Sequence, residues 1–358
     1  MQNCTGDAMK LLIDLSILRH PYCGLGQVAQ EYGQFIAEHD GFFPDSCEVT
    51  LLLPHEWDGR FGDGVNYLVQ KDIWRLAPWL MPQFDVWHSI YQLSAFRPHD
   101  KSTRRILTIH DVNFVYEKNG RKRQRYLNKL QKEVDSAAEV CFISDFAKQD
   151  ALQHIDLHDH EPRVIREAVR NCTGDSQQRP ATITSDRPFL LFIGVLKDKK
   201  NIHTLLPMME HINDMDLVIA GGGNGEYADT LQSQASGHKN VIMTGFVSDS
   251  ERNWLLAHCA GLCFPSLFEG FGRPIIEAMQ WGKPVFCSTC TSIPETAGDQ
   301  AFYFTDFNPE SMAQVVTEGL KAFSTERAEA AKAYANTFSY EKHFSEYMKL
   351  YCPDKNNK

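Results

Sequence analysis

The segment Pro265-Ser-Leu-Phe-Glu-Gly-Phe-Gly-Arg-Pro-Ile-Ile-Glu-Ala-Met279 concentrates the residue types best suited to chemistry. Glu269 falls in a glycine-rich loop after the apolar run ending at Phe264, and Glu277 one turn into the helix that Pro274 would open. The N–H groups of Gly270, Phe271 and Gly272 would face outward at that helix amino terminus, where backbone donors and the helix dipole favour negative charge. The loop carboxylate can accept hydrogen bonds from sugar hydroxyls, and the helix carboxylate can hold a second diol, such as a ribose. Either glutamate alone also reads as an ordinary loop before a capped helix. The combination narrows the chemistry.

Strands alternate with helical stretches along the whole chain, the pattern of an α/β protein with parallel sheets. In the first half, strands are expected at Leu11–Asp14, Val49–Leu53, Val86–His88, Arg105–Thr108 and Val140–Ile143, with helices at Gly26–Glu38 and Lys122–Ser136. Asn171–Arg187 is polar, carries Gly174 and Pro180, and reads as a linker. The second half restarts with strands at Phe189–Gly194, Leu217–Ala220, Val241–Thr244, Gly261–Phe264 and Val285–Cys287. Its helices are expected at Asn201–Glu210, Gly225–Ala235, Asp249–Ala257 and Arg273–Met279, and Phe344, Tyr347 and Tyr351 mark a last helix by their spacing. The expected architecture is two doubly wound domains facing across a cleft, residues 1–178 and 179–339, with 340–358 crossing back to the first.

The 265–279 segment resembles the Glu-seven-residues-Glu motif of retaining glycosyltransferases with the GT-B fold, in particular glycosyltransferase family four (group 1) and its bacterial mannosyltransferases. Further matches fall in family order. Phe192-Ile-Gly-Val-Leu-Lys-Asp-Lys-Lys-Asn-Ile202 resembles the first strand and basic loop of the second domain, which implies that Lys200 and Lys199 contact the donor diphosphate; Val195 stands where many members carry an arginine. Leu217-Val-Ile-Ala-Gly-Gly-Gly223, including Gly222, resembles the glycine loop beside the nucleotide, and Thr244-Gly-Phe-Val247 the loop whose backbone, around Phe246 and Val247, reads the base. Ser292–Gly298 resembles a loop facing the donor. In the first domain, Gly24-Leu25-Gly26 is similar to a mobile glycine loop, and Thr108-Ile-His-Asp111 to a His-Asp pair that would put His110 near the transferred sugar. Ile143–Lys148 matches a strand-to-helix junction. The resemblance implies sugar transfer with retained configuration from a nucleotide-sugar donor, GDP-mannose first and a UDP-sugar second. The acceptor would be a glycan or lipid-linked glycan in surface-polysaccharide assembly, and catalysis would need no metal and no cofactor.

Global properties agree with an enzyme of this kind and exclude others. A chain of 358 residues exceeds one comfortable core, and 36 Lys+Arg against 46 Asp+Glu leave a net charge of −10, which argues against nucleic acid as partner. No run approaches a membrane span of roughly 20 residues. No signal peptide is read at the amino terminus, so a cytoplasmic location is expected, and the sequon at Asn3 and its repeat at Asn171 carry no meaning there. The ten cysteines read as reduced and structural, the Cys259, Cys263, Cys287 and Cys290 set included. Asp214-Met-Asp216 precedes its strand, unlike a metal-binding pair. Arg121-Lys-Arg-Gln-Arg125 is either a solvated helix face or a contact for a lipid diphosphate or the inner membrane surface. Trp57, Trp74, Trp79 and Trp87 are expected in the core, with an acceptor lip as the other use. Two further functions compete: a catalytically silent nucleotide-sugar-binding subunit, and a nicotinamide oxidoreductase suggested by Gly223-Asn-Gly-Glu-Tyr-Ala228.

Overall fold

The computed structural model describes residues 8–353, so the Asn3 sequon lies outside the described residues. The chain divides into two compact units, one running to Arg166 and resuming at Tyr340, the other Glu167–Ser339. The division falls after Arg166 instead of 178 because the intervening backbone is bonded to the second unit. Val169 N–H donates to the Phe338 carbonyl at 2.9 Å, Gln178 N–H to that of Ser250 at 3.0 Å, and the Arg273 guanidinium to that of Ala168 at 2.9 Å.

The first unit is built on seven parallel strands: β1 (Met9–Asp14), β2 (Cys47–Leu53), β3 (Asn66–Val69), β4 (Val86–Ser89), β5 (Arg104–Ile109), β6 (Glu139–Phe142) and β7 (Arg163–Val164). Their order is β3-β2-β1-β4-β5-β6-β7. Covered on both faces, the inner strands are near-continuous apolar runs, with Leu11, Leu12, Ile13 and Leu51, Leu52, Leu53 fully buried. Trp74 and Trp87 join one core with Leu12, Leu52, Met81 and Phe96, whereas Trp79 is 64 % exposed and Trp57 only partly covered. A second core gathers Leu107, Ile109, Phe114, Leu130, Val134 and Phe142 under the helix Gly120–Asp135. That helix's first turns, Arg121–Arg125, are exposed. Ser144 caps the helix Asp145–Leu152 by accepting from Ala147 N–H at 3.0 Å, which makes the Ile143–Lys148 junction structural.

The helix Tyr340–Tyr351 belongs to this unit and is fixed to it by a buried polar network. Tyr347 Oη meets Thr108 Oγ1 at 2.7 Å, His88 Nε2 meets the same hydroxyl at 2.8 Å, and His88 Nδ1 meets Tyr351 Oη at 2.7 Å. His343 bonds Tyr32 through one ring nitrogen and the Arg166 carbonyl, at 2.7 Å, through the other. Burial, first of all, and then the neighbouring His343 and His110 hold the His88 pKa well below its ordinary 6.5.

The second unit has six parallel strands: β8 (Phe189–Ile193), β9 (Asp216–Ala220), β10 (Val241–Gly245), β11 (Gly261–Phe264), β12 (Val285–Ser288) and β13 (Phe302–Phe304). They are ordered β10-β9-β8-β11-β12-β13. Helices at Glu226–Ala235, Asp249–His258 and Arg273–Gln280 lie within a residue of expectation. The expected helix over 201–210 is a correction. Asn201 takes a left-handed φ of 55°, and only short turns, Ile202–Thr204 and Leu205–Met208, follow. Pro207, without an N–H, cannot extend them.

A group whose folded pKa is depressed below the unfolded 6.5 stabilises above that value and ceases to as pH falls. The unfolded chain then takes up a proton at His88 that the folded chain refuses. The urea midpoint should therefore drop on going from pH 7.5 to 5.5, and His88→Gln should flatten that slope. In the same assay Tyr347→Phe should cost about 1 kcal/mol and Tyr347→Ala about 3–5 kcal/mol.

Candidate active site

In an open parallel sheet, ligands bind beyond the carboxyl ends of the strands where the strand order reverses. In the second unit that place lies between β8 and β11, which pair directly. The loop leaving β8 carries Lys200, and the loop leaving β11 carries Glu269. Their side chains form an ion pair, Lys200 Nζ to Glu269 Oε1 at 2.5 Å, with 15 % and 13 % of their surfaces exposed. Lys200 Nζ also stands 5.3 Å over the Phe264 ring. At this depth each ion depends on its partner, because removing one leaves a poorly solvated charge.

The two loops are tied together by backbone. Leu267 N–H donates to the Lys199 carbonyl at 2.8 Å and Ser266 Oγ to the same oxygen at 3.1 Å. The loop after β12 secures the other side: Glu269 N–H donates to Thr291 Oγ1 at 3.0 Å and Ser292 Oγ to the Glu269 carbonyl at 2.9 Å. Ser292 and Thr296 hydroxyls both reach the Phe271 carbonyl. Gly272, at φ 102°, turns the chain into the helix Arg273–Gln280. The Phe271 and Gly272 N–H groups, at that helix start, find no acceptor among the described residues.

Glu277, 5 % exposed, faces Arg252 of the helix Asp249–His258, and the two form an ion pair. Ser248 and Glu251 form a capping box at the start of that helix, and Arg252's pairing, which joins two helices distant in the chain, is marked by no spacing in the sequence. Thr291 was missed for the same reason.

Three glycine turns close the rim at β8, β9 and β10. Gly221 (φ 138°) donates its N–H to the Gly245 carbonyl at 2.8 Å, and a Cβ on it would lie 2.0 Å from the Gly194 carbonyl oxygen. A Cβ on Gly222 would lie 2.3 Å from the ring of Phe246, which is 78 % exposed, while Val247 is half-buried. Val195 is 39 % exposed at the first of these turns. The structure thus brings together Lys200 with Glu269, and Gly222 with Phe246; Glu277 is engaged by a cation the sequence did not single out.

The remaining expected residues lie in the first unit. His110 follows β5 and is 7 % exposed; its Nε2 lies 2.8 Å from the Ile90 carbonyl, which can only accept, so Nε2 carries the proton. Its backbone N–H donates to Gln92 Oε1 at 3.2 Å. Gly24 and Gly26 form the first turn of the helix Gly24–Glu38, which starts earlier than expected because Cys23 Sγ accepts from Gly26 N–H at 3.3 Å.

Among the described residues no group of three or more His, Cys, Asp or Glu is placed to hold a metal ion. Asp216 is occupied by Arg187 at 3.2 Å where β9 begins. Cys259, Cys263 and Cys287 are buried, and burial pushes the Cys259 thiol up to about 12. The Gly223–Gly225 loop does precede a helix, yet it leaves β9, whereas a dinucleotide loop leaves the central first strand of its sheet.

Residues 175–337 match the family of glycosyl transferases group 1. Over 93 % of this chain and 97 % of the relative's length, the sequence is 25 % identical to O-antigen chain mannosyltransferase B of Escherichia coli. A glycosyltransferase from Rickettsia africae superimposes with a TM-score of 0.70 at 17 % identity, covering 99 % of this chain and 100 % of its own. Anabaena HepE in complex with UDP-glucose gives 0.71 at 15 %, covering 96 % and 99 %. The fold is GT-B, two doubly wound α/β units in one chain. The chain is a glycosyltransferase, and its match to the group 1 family model falls within the second unit.

The glycine geometry makes a paired prediction. Gly221→Ala drives a Cβ into backbone at a positive φ and should cost about 1–3 kcal/mol in chemical denaturation. Gly222→Ala meets only the movable Phe246 ring, so it should keep stability and weaken nucleotide binding, read by calorimetry.

Proposed function

We propose that this glycosyltransferase moves a hexose, mannose in the first instance, from a nucleoside diphosphate to a glycan or lipid-linked glycan during surface-polysaccharide assembly. The name of the Escherichia coli relative supports mannose and the O-antigen setting, and the UDP-glucose bound by Anabaena HepE supports a nucleotide-sugar donor. GDP-mannose is the first donor and a UDP-sugar the second. The observation that carries the reading is the Lys200–Glu269 pair at the switch point of the second unit.

Each residue then has a task. The donor diphosphate takes Lys200, with Lys199 beside it and the Phe271 and Gly272 amides as further donors. Glu269, released from Lys200, accepts from the hydroxyls of the transferred sugar. Glu277 holds the ribose, oriented by its ion pair with Arg252. The base lies on the Phe246–Val247 loop against Gly222. As the glycosidic C–O bond breaks, charge grows on the leaving diphosphate, and Lys200 stabilises it without a metal. The acceptor hydroxyl attacks from the same face, its proton passing to the departing diphosphate oxygen, and configuration is retained; no carboxylate is assigned as a nucleophile. His110, with its Nε2 proton on the Ile90 carbonyl, is assigned to the transferred sugar.

Peripheral membrane contact by the first unit belongs to the same reading. Arg121–Arg125 are exposed, as are Leu76, Trp79 and Leu80, a basic and aromatic set suited to an anionic surface. No helix among the described residues is long and apolar enough to cross a membrane.

In a thermal-shift panel of nucleoside diphosphates and their sugars, GDP and GDP-mannose should raise the melting temperature most; no shift with any of them removes the donor reading. Lys200→Ala should lower transfer by about 10²- to 10³-fold with the fold retained, and EDTA should leave the wild-type rate unchanged. Sedimentation with phosphatidylglycerol vesicles should fall as salt rises; none at low salt removes the membrane contact.

A further inference from the structure

Among the described residues, three other than glycine take a left-handed backbone: His158 at φ 51°, Asn201 at 55° and Thr291 at 54°. Asparagine and histidine enter that region more readily than most side chains, whereas a β-branched residue there is a true outlier. Two of the three stand at the Lys200–Glu269 pair. Asn201 follows Lys200 directly, and Thr291 Oγ1 accepts from the Glu269 N–H at 3.0 Å. Strain of this kind persists only where the surrounding structure imposes it, and it gathers at functional sites.

Thr291 owes its backbone to a tight turn after β12. Ile293 N–H donates to the Cys290 carbonyl at 3.1 Å, and Cys290 N–H to Ser288 Oγ at 3.4 Å. Ser292, the second central residue of the turn, has φ −78° and ψ −5°. A positive φ at the first central residue followed by these angles is the pattern of a type II′ turn, whose first central position ordinarily takes glycine. Glycine would adopt it without strain. Threonine brings a hydroxyl, and among the described residues that hydroxyl has one partner, the Glu269 N–H.

The other hydroxyls of this loop reach carbonyls instead. Ser288 Oγ donates to the Ser266 carbonyl at 2.5 Å, Ser292 Oγ to that of Glu269 at 2.9 Å, and Thr296 Oγ1 to that of Phe271 at 2.6 Å. Glu269 is therefore held in three ways: by Thr291 at its N–H, by Ser292 at its carbonyl and by Lys200 at its carboxylate. The last hold ends when Lys200 turns to a diphosphate. From then on the hydroxyls of Thr291 and Ser292 alone keep the residue in register, and a carboxylate that must meet particular sugar hydroxyls needs that register.

We propose that Thr291 is a positioning residue for Glu269, its strained turn carrying the hydroxyl that keeps the carboxylate aimed at the transferred sugar once Lys200 has left it. The proposal rests on Glu269 holding that sugar, and it deepens the reading. The loop after β12 takes part in distinguishing a sugar-bearing nucleotide from a bare one. Thr291 bears on the sugar and leaves the nucleoside diphosphate to Lys200, the Phe271 and Gly272 amides and Glu277.

The test is calorimetric binding of GDP and of GDP-mannose to the full chain, with urea unfolding alongside. Thr291→Val keeps the side chain's shape and removes one hydrogen bond; Thr291→Gly removes the bond and relieves the backbone. Both should bind GDP-mannose about tenfold more weakly than the wild type and GDP within about twofold of it. The urea midpoint of Thr291→Gly should equal or exceed that of the wild type, so its weaker binding cannot be laid to a damaged fold. Thr291→Ser, which keeps the hydroxyl, should recover most of the loss. Unchanged GDP-mannose binding by Thr291→Val, an equal loss for GDP and GDP-mannose, or no recovery in Thr291→Ser would each overturn the proposal. Glu269→Ala in the same experiment separates the two failures. If Glu269→Ala loses GDP-mannose selectively and Thr291→Val does not, the role of Thr291 alone is wrong. If Glu269→Ala binds GDP-mannose as the wild type does, or the wild type binds neither ligand, the donor reading fails and the role of Thr291 with it.

Discussion

Everything in the second unit converges on one ion pair placed where a parallel sheet changes direction. A doubly wound sheet leaves a crevice beyond the carboxyl ends of the two strands at its reversal, here β8 and β11. Lys200 arrives on the loop from one and Glu269 on the loop from the other. Charges brought that deep are stable only in company, so the loops must hold their register closely. The hydrogen bonds from Leu267 and Ser266 to the Lys199 carbonyl, and from Glu269 to Thr291, do that holding.

The surrounding structure can be understood as support for that register. Fully buried strands such as Phe189–Ile193 set the height at which the loops emerge. Glycines at 194, 221 and 245 let three loops turn within contact of one another, since a Cβ on Gly221 would strike the Gly194 carbonyl. The second glutamate repeats the logic of the first. Glu277 is buried on a helix and answered by Arg252 on another, so both carboxylates have cations before any ligand arrives. The first unit uses the same kind of sheet and adds a buried network of His88, Thr108, Tyr347 and Tyr351 that fixes the last helix to it.

What the sequence made legible was set by periodicity and by glycine. The long apolar strands and the helix whose start Pro274 marks lie within two residues of where the pattern puts them. β3 and β7 were not legible, because β3 is only partly covered and β7 has just two residues. β13 escaped for a similar reason, being three residues long. The helix after Lys200 failed because Asn201's left-handed backbone and Pro207 overrode a favourable apolar spacing. Lys200 and Glu269 were legible as residues, but their pairing is a property of the sheet order, which local pattern does not encode. Arg252 and Thr291 lie on other elements altogether, and no spacing within the motif points to them.

The central claim is that Glu269 occupies Lys200 as an internal anion until a diphosphate replaces it. It is tested most directly by calorimetric binding of bare GDP to Glu269→Gln. Without the competing carboxylate, Lys200 is free in advance, so the variant should bind GDP more tightly than the wild type, while Lys200→Met binds it more weakly. If Glu269→Gln binds GDP more weakly than the wild type, with its fold intact, the carboxylate does not compete for the diphosphate's cation and the account is contradicted.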